Sequence, residues 1–102
     1  MNYLVFDIGG TAIKYALMTE SSHIIEKGEI STPKLNFEDF IEKLLSIYYK
    51  FNNIEGIALS LPGKIDSITG FSYSGGSLFY NNEKNIPKFL SSKLGIPLTA
   101  EN

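Results

Sequence analysis

Asp7-Ile8-Gly9-Gly10-Thr11-Ala12-Ile13-Lys14 gathers into one short stretch the groups that hold a phosphate ester. Paired glycines permit a tight turn with φ > 0 and leave backbone N–H groups uncovered. Successive uncovered N–H groups make an anion-binding concavity. Thr11 adds a hydroxyl donor, Lys14 adds a cation, and Asp7 can hold a metal-bound water. The set suits a nucleoside triphosphate carried with Mg²⁺. A plain hairpin with a Gly-Gly turn has the same composition, so turn chemistry alone leaves both readings open. Two other phosphate motifs are excluded. The G-x-x-x-x-G-K-[ST] and G-x-G-x-x-G patterns both open a helix, whereas the residues after Gly10 alternate as a strand does.

Two further places could carry chemistry. Leu61-Pro62-Gly63-Lys64 and Ser74-Gly75-Gly76-Ser77 each follow a strand-like run and expose backbone that a polyhydroxylated ligand could meet directly. Ordinary loop glycines read the same way. Glu101-Asn102 ends a parallel-type strand, and ligands of open α/β sheets gather beyond the carboxyl ends of strands. An Asn amide offers donor and acceptor together, which suits a sugar diol. A polar strand terminus is the plain alternative. His23, the single histidine, falls in a turn and reads as a surface residue. Tyr48-Tyr49 and Phe79-Tyr80 could stack on a ligand, but such aromatics more often sit in or beside a core.

The elements that must position these residues follow from periodicity. Tyr3 to Ile8 is a short apolar run ending beside an acid, suited to a buried strand. Ala12 to Thr19 alternates, with Ile13, Tyr15 and Leu17 on one face and Ala12, Lys14, Ala16 and Met18 on the other. Ile24 to Ser31 makes a third strand, with Gly28 expected to mark a bulge. The opening is therefore an antiparallel meander. Thr32-Pro33-Lys34 is a break. Asn36 caps a helix with Glu38 and Asp39 in its first turn. Its apolar stripe runs Phe37, Phe40, Ile41, Leu44, Leu45, Tyr48, Phe51, and Asn52-Asn53 ends it. Ile54 to Leu61 is an apolar run with small residues, a central strand. Lys64-Ile65-Asp66 and Gly70-Phe71-Ser72-Tyr73 form a small hairpin, and Ser74 to Asn85 reads as loop. Pro87 to Leu94 is a second short helix, with Asn85 near its cap and Gly95 after its end. Pro97-Leu98-Thr99-Ala100 begins a last strand.

The 102 residues suffice for one small domain, and 43% hydrophobic residues describe a globular chain. Nine basic and eleven acidic residues give a net charge of −2, and arginine is absent. No basic stripe appears, which argues against a nucleic-acid partner. No apolar run is long enough to span a bilayer, and the N-terminus lacks the layout of a signal peptide. With no cysteine there is no disulfide and no thiolate metal site. That fits a reducing cytoplasm.

These segments, taken in order, resemble the ROK family of sugar kinases and repressors, within the actin-like ATPase, hexokinase and Hsp70 superfamily. The resemblance covers essentially the whole chain. Residues 7–14 look like the family's opening phosphate motif. Residues 56–63 look like its central strand and sugar-side turn, Gly75-Gly76 like its substrate loop, and residues 95–102 like the lead-in to its Glu-Asn-Asp signature. The resemblance implies an α/β fold, a ribonuclease H-like ATPase lobe. In it a three-stranded meander is followed by helix, strand, small hairpin, helix and strand. Residues 1–102 are then expected to be the N-terminal lobe of a two-lobe protein. By the same resemblance Asp7 lies near Mg²⁺ and the phosphates of ATP. Gly9, Gly10 and Thr11 cradle those phosphates with Lys14 close by, and Gly63, Gly75, Gly76 and Lys64 line the sugar pocket. Asn102 bonds sugar hydroxyls. The family's general base is the Asp directly after that Asn, so the 102-residue chain is expected to be inactive alone. A structural zinc, where present, belongs to the second lobe, and family members often pair as homodimers. The implied reaction is transfer of the γ-phosphoryl of Mg·ATP to a hydroxyl of glucose, a hexosamine or a β-glucoside. A sugar-responsive repressor of the family would carry a helix-turn-helix region ahead of the phosphate motif. That motif begins at residue 7 here, which favours the kinase. A non-catalytic sugar-binding relative is the remaining alternative.

Overall fold

A computed structural model describes all 102 residues. Strands β1 (Asn2–Ile8), β2 (Ala12–Thr19) and β3 (Ile24–Ser31) form the expected antiparallel meander. Helix α1 (Phe37–Tyr48) then returns the chain so that β4 (Ile54–Ser60) pairs parallel to β1. Three short strands follow, β5 (Lys64–Ile65), β6 (Phe71–Ser74) and β7 (Lys84–Asn85), with a 3₁₀ turn at Phe79–Asn81 before β7. Helix α2 (Ile86–Leu94) leads to β8 (Leu98–Glu101), which pairs parallel to β4. The main sheet has the order β3-β2-β1-β4-β8, and β5, β6 and β7 make a separate small sheet.

Alternation decides which face of the main sheet is covered. Leu4, Phe6 and Ile8 of β1, Ile13, Tyr15 and Leu17 of β2, and Ile57 and Leu59 of β4 are buried. They join Phe40, Ile41, Leu44 and Ile47 of α1 and Ile86 and Leu90 of α2 in one hydrophobic cluster. The opposite face carries a cross-strand row in which Glu29, Lys14, Asp7, Ser60 and Glu101 are successive neighbours. All of these but the half-buried Ser60 are exposed. Asp7 and Lys14 thus lie side by side on an uncovered surface.

Both helix starts follow from side-chain caps. The Asn36 carboxamide oxygen accepts from the Asp39 N–H at 2.8 Å, and that of Asn85 accepts from the Lys88 N–H at 3.0 Å. Each satisfies one of the donors that a helix N-terminus leaves free. Gly95 ends α2 at φ 71°, a left-handed cap.

Four details differ from the sequence expectations. Helix α1 stops at Tyr48, not at Asn52. The chain tightens there, with the Lys50 N–H on the Ile47 carbonyl and the Phe51 N–H on that of Tyr48. Phe51 continues the apolar stripe from this turn and packs on Tyr15, with ring centroids 6.3 Å apart. Gly28 is not at a bulge. It pairs in register with Tyr15, and the register shift falls at Leu17/Met18. Glycine is needed at 28 because the Tyr15 ring occupies the space a Cβ would fill. The expected hairpin of residues 64–73 is a three-stranded sheet. Its third strand, β7, and the 3₁₀ turn both lie in the stretch read as loop.

Candidate functional site

The main sheet brings the three sequence-singled regions to one end. Because β1, β4 and β8 run parallel, Gly9, Leu61 and Asn102 all lie just past the same edge. His23 lies at the opposite end, in the exposed β2–β3 turn.

The connection from β1 to β2 is Gly9-Gly10-Thr11. The Gly9 N–H donates to the Ala12 carbonyl at 2.9 Å, while the N–H groups of Gly10 and Thr11 meet no protein acceptor. Neither glycine has positive φ, contrary to the sequence expectation. Close approach explains them instead. A Cβ on Gly9 would come within 3.2 Å of the Ala12 carbonyl oxygen, and one on Gly10 within 2.6 Å of the Ser77 hydroxyl. Bare backbone with two free donors is what an anion requires.

The second cluster is held by backbone packed on backbone. Gly63 has φ 103° and Gly76 φ 60°. A Cβ on Gly63 would collide with the Ser74 carbonyl and approach the Gly76 N–H nitrogen to 2.7 Å. Gly75 is buried, and its N–H donates to the Asn82 side-chain oxygen at 2.7 Å. The Gly76 N–H donates to the Ser74 hydroxyl at 3.1 Å. Lys64 is exposed on β5, paired with Ser74. The Asn102 amide donates from Nδ2 to the Leu61 carbonyl at 3.3 Å and also to the Gly63 carbonyl. The two clusters meet, since Ser77 follows Gly76 and touches Gly10. A continuous ridge therefore runs Gly10, Ser77, Gly76, Gly63, Asn102.

Asp7 and Lys14 stand off this ridge, as cross-strand neighbours on the uncovered sheet face. Among the described residues no group of three or more His, Cys, Asp or Glu could hold a metal ion. No helix is long and apolar enough to cross a membrane.

Sequence reasoning missed several residues that shape the site. Thr32 and Lys34 lay in a stretch read only as a break, yet both donate to the hairpin's carbonyls. Asn82 lay in a stretch read as loop, and Ser77, singled out as part of Ser74–Ser77, gave no sign of its contact with Gly10. Thr32 did carry a signal, an uncharged hydroxyl residue wedged between a strand end and a proline. Tyr80 is no stacking platform: its ring packs on Phe40, with centroids 5.6 Å apart. Its hydroxyl donates to the Pro33 carbonyl at 2.6 Å.

Burial pushes the Tyr80 phenol up from 10.0 to about 12. Above pH 10 the unfolded chain releases this proton while the folded chain keeps it. Tyr80 therefore contributes stability that is complete below pH 10 and lost as pH rises toward 12. Tyr80→Phe is expected to be less stable than wild type near pH 9 and to lose less stability between pH 10 and 12. Urea midpoints at matched pH check this, and parallel declines in the two proteins would contradict it.

Known proteins resemble this chain in sequence and fold. The model of the ROK family matches residues 3–102. A beta-glucoside kinase from Klebsiella pneumoniae is 30% identical over 102 residues, 100% of this chain and 34% of that protein. A glucokinase from Halalkalibacterium halodurans is 39% identical over 80 residues, 70% of this chain and 24% of that protein. The crystal structure of a ROK family protein from Streptococcus pneumoniae in complex with sucrose superposes with a TM-score of 0.84 at 34% identity. It covers 100% of this chain and 34% of that one. The chain thus spans about a third or less of the length of these relatives. With its meander, parallel β1-β4-β8 core and matching segments throughout, the chain belongs to the ROK family and has the fold of that family's N-terminal, actin-like ATPase lobe.

Proposed function

We propose that residues 1–102 form the N-terminal lobe of an ATP-dependent sugar kinase. The observation that carries this reading is the contact between the two clusters. A hairpin with two free N–H groups touches, through Gly10 and Ser77, a glycine-lined backbone ridge that ends in an Asn amide. Phosphoryl transfer needs little covalent help from the protein, but it needs donor and acceptor side by side and in line. The names beta-glucoside kinase and glucokinase, borne by relatives, support the same reaction class.

On this reading the Gly10 and Thr11 N–H groups and the Thr11 hydroxyl hold phosphate oxygens. Mg²⁺ keeps most of its waters and asks for one or two protein carboxylates. The exposed carboxylate of Asp7, beside the hairpin, fits that demand and would hold the ion through water, where its charge would offset that of the transferring group. Lys14 adds positive charge next to Asp7. At the sugar end, Gly63, Gly75 and Gly76 keep backbone close to the ligand, and Lys64 stands at the rim. Asn102 commits Nδ2 to the Leu61 and Gly63 carbonyls, so its Oδ1 is the atom left to accept from a sugar hydroxyl. The general base is the Asp that the family resemblance sets directly after Asn102. Closure by a second lobe would exclude water, so that ATP is not hydrolysed.

The test is ADP release by the full-length protein with Mg·ATP against glucose, hexosamines and β-glucosides. Turnover above the sugar-free control is expected with at least one class, and none is expected from residues 1–102 alone. Full-length protein that binds a sugar yet shows no ADP release would favour the non-catalytic relative. Specific retention of promoter DNA, relieved by sugar, would favour the repressor.

A further inference from the structure

The segment after β3 does more than link the meander to α1. It supplies a donor to each carbonyl of the β1–β2 hairpin. The Thr32 hydroxyl donates to the Gly9 carbonyl at 2.8 Å, the Thr32 N–H to the Thr11 carbonyl at 3.0 Å, and the Lys34 ammonium to the Gly10 carbonyl at 3.2 Å. All three of the hairpin's carbonyls are thereby satisfied. Its Gly10 and Thr11 N–H groups are the ones left over. Peptide units are rigid planes, so a carbonyl held on one side fixes the following N–H on the other. Gly9's carbonyl and Gly10's N–H belong to one such plane.

We propose that Thr32 is a positioning residue for phosphate binding: its hydroxyl, by holding the Gly9 carbonyl, aims the Gly10 N–H outward at the anion. This rests on the phosphate reading of the hairpin given above. Thr32 is only 3% exposed, so it does not touch the ligand itself. Its own segment is in turn anchored, because Tyr80 holds the Pro33 carbonyl. Loss of the hydroxyl frees the Gly9–Gly10 peptide to rotate. A glycine pair has no side chain to resist that rotation, and a carbonyl turned toward the phosphates would repel them.

The experiment compares wild type, Thr32→Val and Thr32→Ser in the full-length protein by calorimetric titration with Mg·ATP and, separately, with the accepted sugar. Loss of one positioning hydrogen bond is worth up to about 10-fold in a binding constant. Thr32→Val is therefore expected to weaken Mg·ATP binding by about 10-fold while sugar affinity stays within about twofold. Thr32→Ser keeps the hydroxyl and is expected to restore nucleotide affinity to near wild type. Unchanged nucleotide affinity in Thr32→Val would overturn the proposal. So would an equal loss of nucleotide and sugar affinity that serine does not rescue, since that marks a general packing role. If Thr32→Val fails to fold, Thr32→Ala, with no branched methyls, takes the same readings. Wild-type protein that binds no Mg·ATP would overturn the phosphate reading, and this proposal with it. That outcome is distinct from a variant-only result.

Discussion

Replacing Asp7 by Ala or Asn in the full-length protein is expected to lower turnover with saturating Mg·ATP and sugar by about 10²–10³-fold, the usual scale for removing one group that stabilises transition-state charge. The argument starts from where the side chain sits. Asp7 is exposed on the face of the sheet that no helix covers, two residues from Gly9. Its strand neighbours Lys14 and Ser60 are joined to it through backbone pairing, which a side-chain change leaves alone. Substitution at such a surface position ordinarily changes stability by no more than about 0.5 kcal/mol. Any large kinetic effect is therefore chemical. On the proposed kinase reading, Mg²⁺ would have to be placed against phosphate oxygens, and the carboxylate beside the hairpin would be the group to place it. Asn keeps the shape and removes the charge, so Asn and Ala should fall together. Sugar affinity, which depends on the other end of the ridge, should stay within about twofold of wild type. A coupled ADP-release assay with a parallel sugar titration reads both quantities. A turnover loss under about 10-fold in both variants would remove Asp7 from the role given to it.

The strands and helices were legible because each has a period or a cap that acts locally. Ile13, Tyr15 and Leu17 alternate, and the structure buries all three. Asn36 and Asn85 announce helices, and both side chains cap. What could not be read locally depends on what a residue meets across space. The stripe through Phe51 looked helical, yet Phe51 reaches Tyr15 from a turn beyond the helix. Strand β7 is too short to show a period and exists because β6 lies beside it. The site divides the same way. Gly9, Gly10, Gly63, Gly75, Gly76 and Asn102 stood out by residue type. That Gly10 meets Ser77, and that Asn102 grips the Gly63 carbonyl, depends on the parallel strands ending together. The reason for Gly10 lay in its tertiary contact with Ser77, and that for Gly9 in its close approach to the Ala12 carbonyl across the turn, not in φ.

The same distinction makes Gly63 the position where one methyl group should do the most damage to the fold and to the sugar end of the site. Two left-handed glycines offer a controlled comparison. Gly95 has φ 71° and would meet nothing within 4 Å if it carried a Cβ. Gly95→Ala should therefore cost only the conformational penalty, about 1–2 kcal/mol. Gly63 has φ 103° and its Cβ would run into the Ser74 carbonyl and the Gly76 backbone nitrogen. Backbone cannot swing aside as a side-chain tip can, so strain and collision add. Gly63→Ala should cost about 3 kcal/mol or more. The chain can relieve the clash only by parting the Pro62–Gly63 turn from residues 74–76. That same movement carries away the carbonyl that holds Asn102. Loss of stability should thus come with loss of sugar affinity, by about 10-fold for each 1.4 kcal/mol of misplacement at the pocket. Nucleotide affinity should suffer less, because the hairpin meets this region only through Ser77. Urea unfolding of the two alanine variants beside wild type, with sugar and nucleotide titrations of each, separates these effects. If Gly63→Ala proved no less stable than Gly95→Ala, the backbone contact between residues 63 and 74–76 would not be holding the pocket closed.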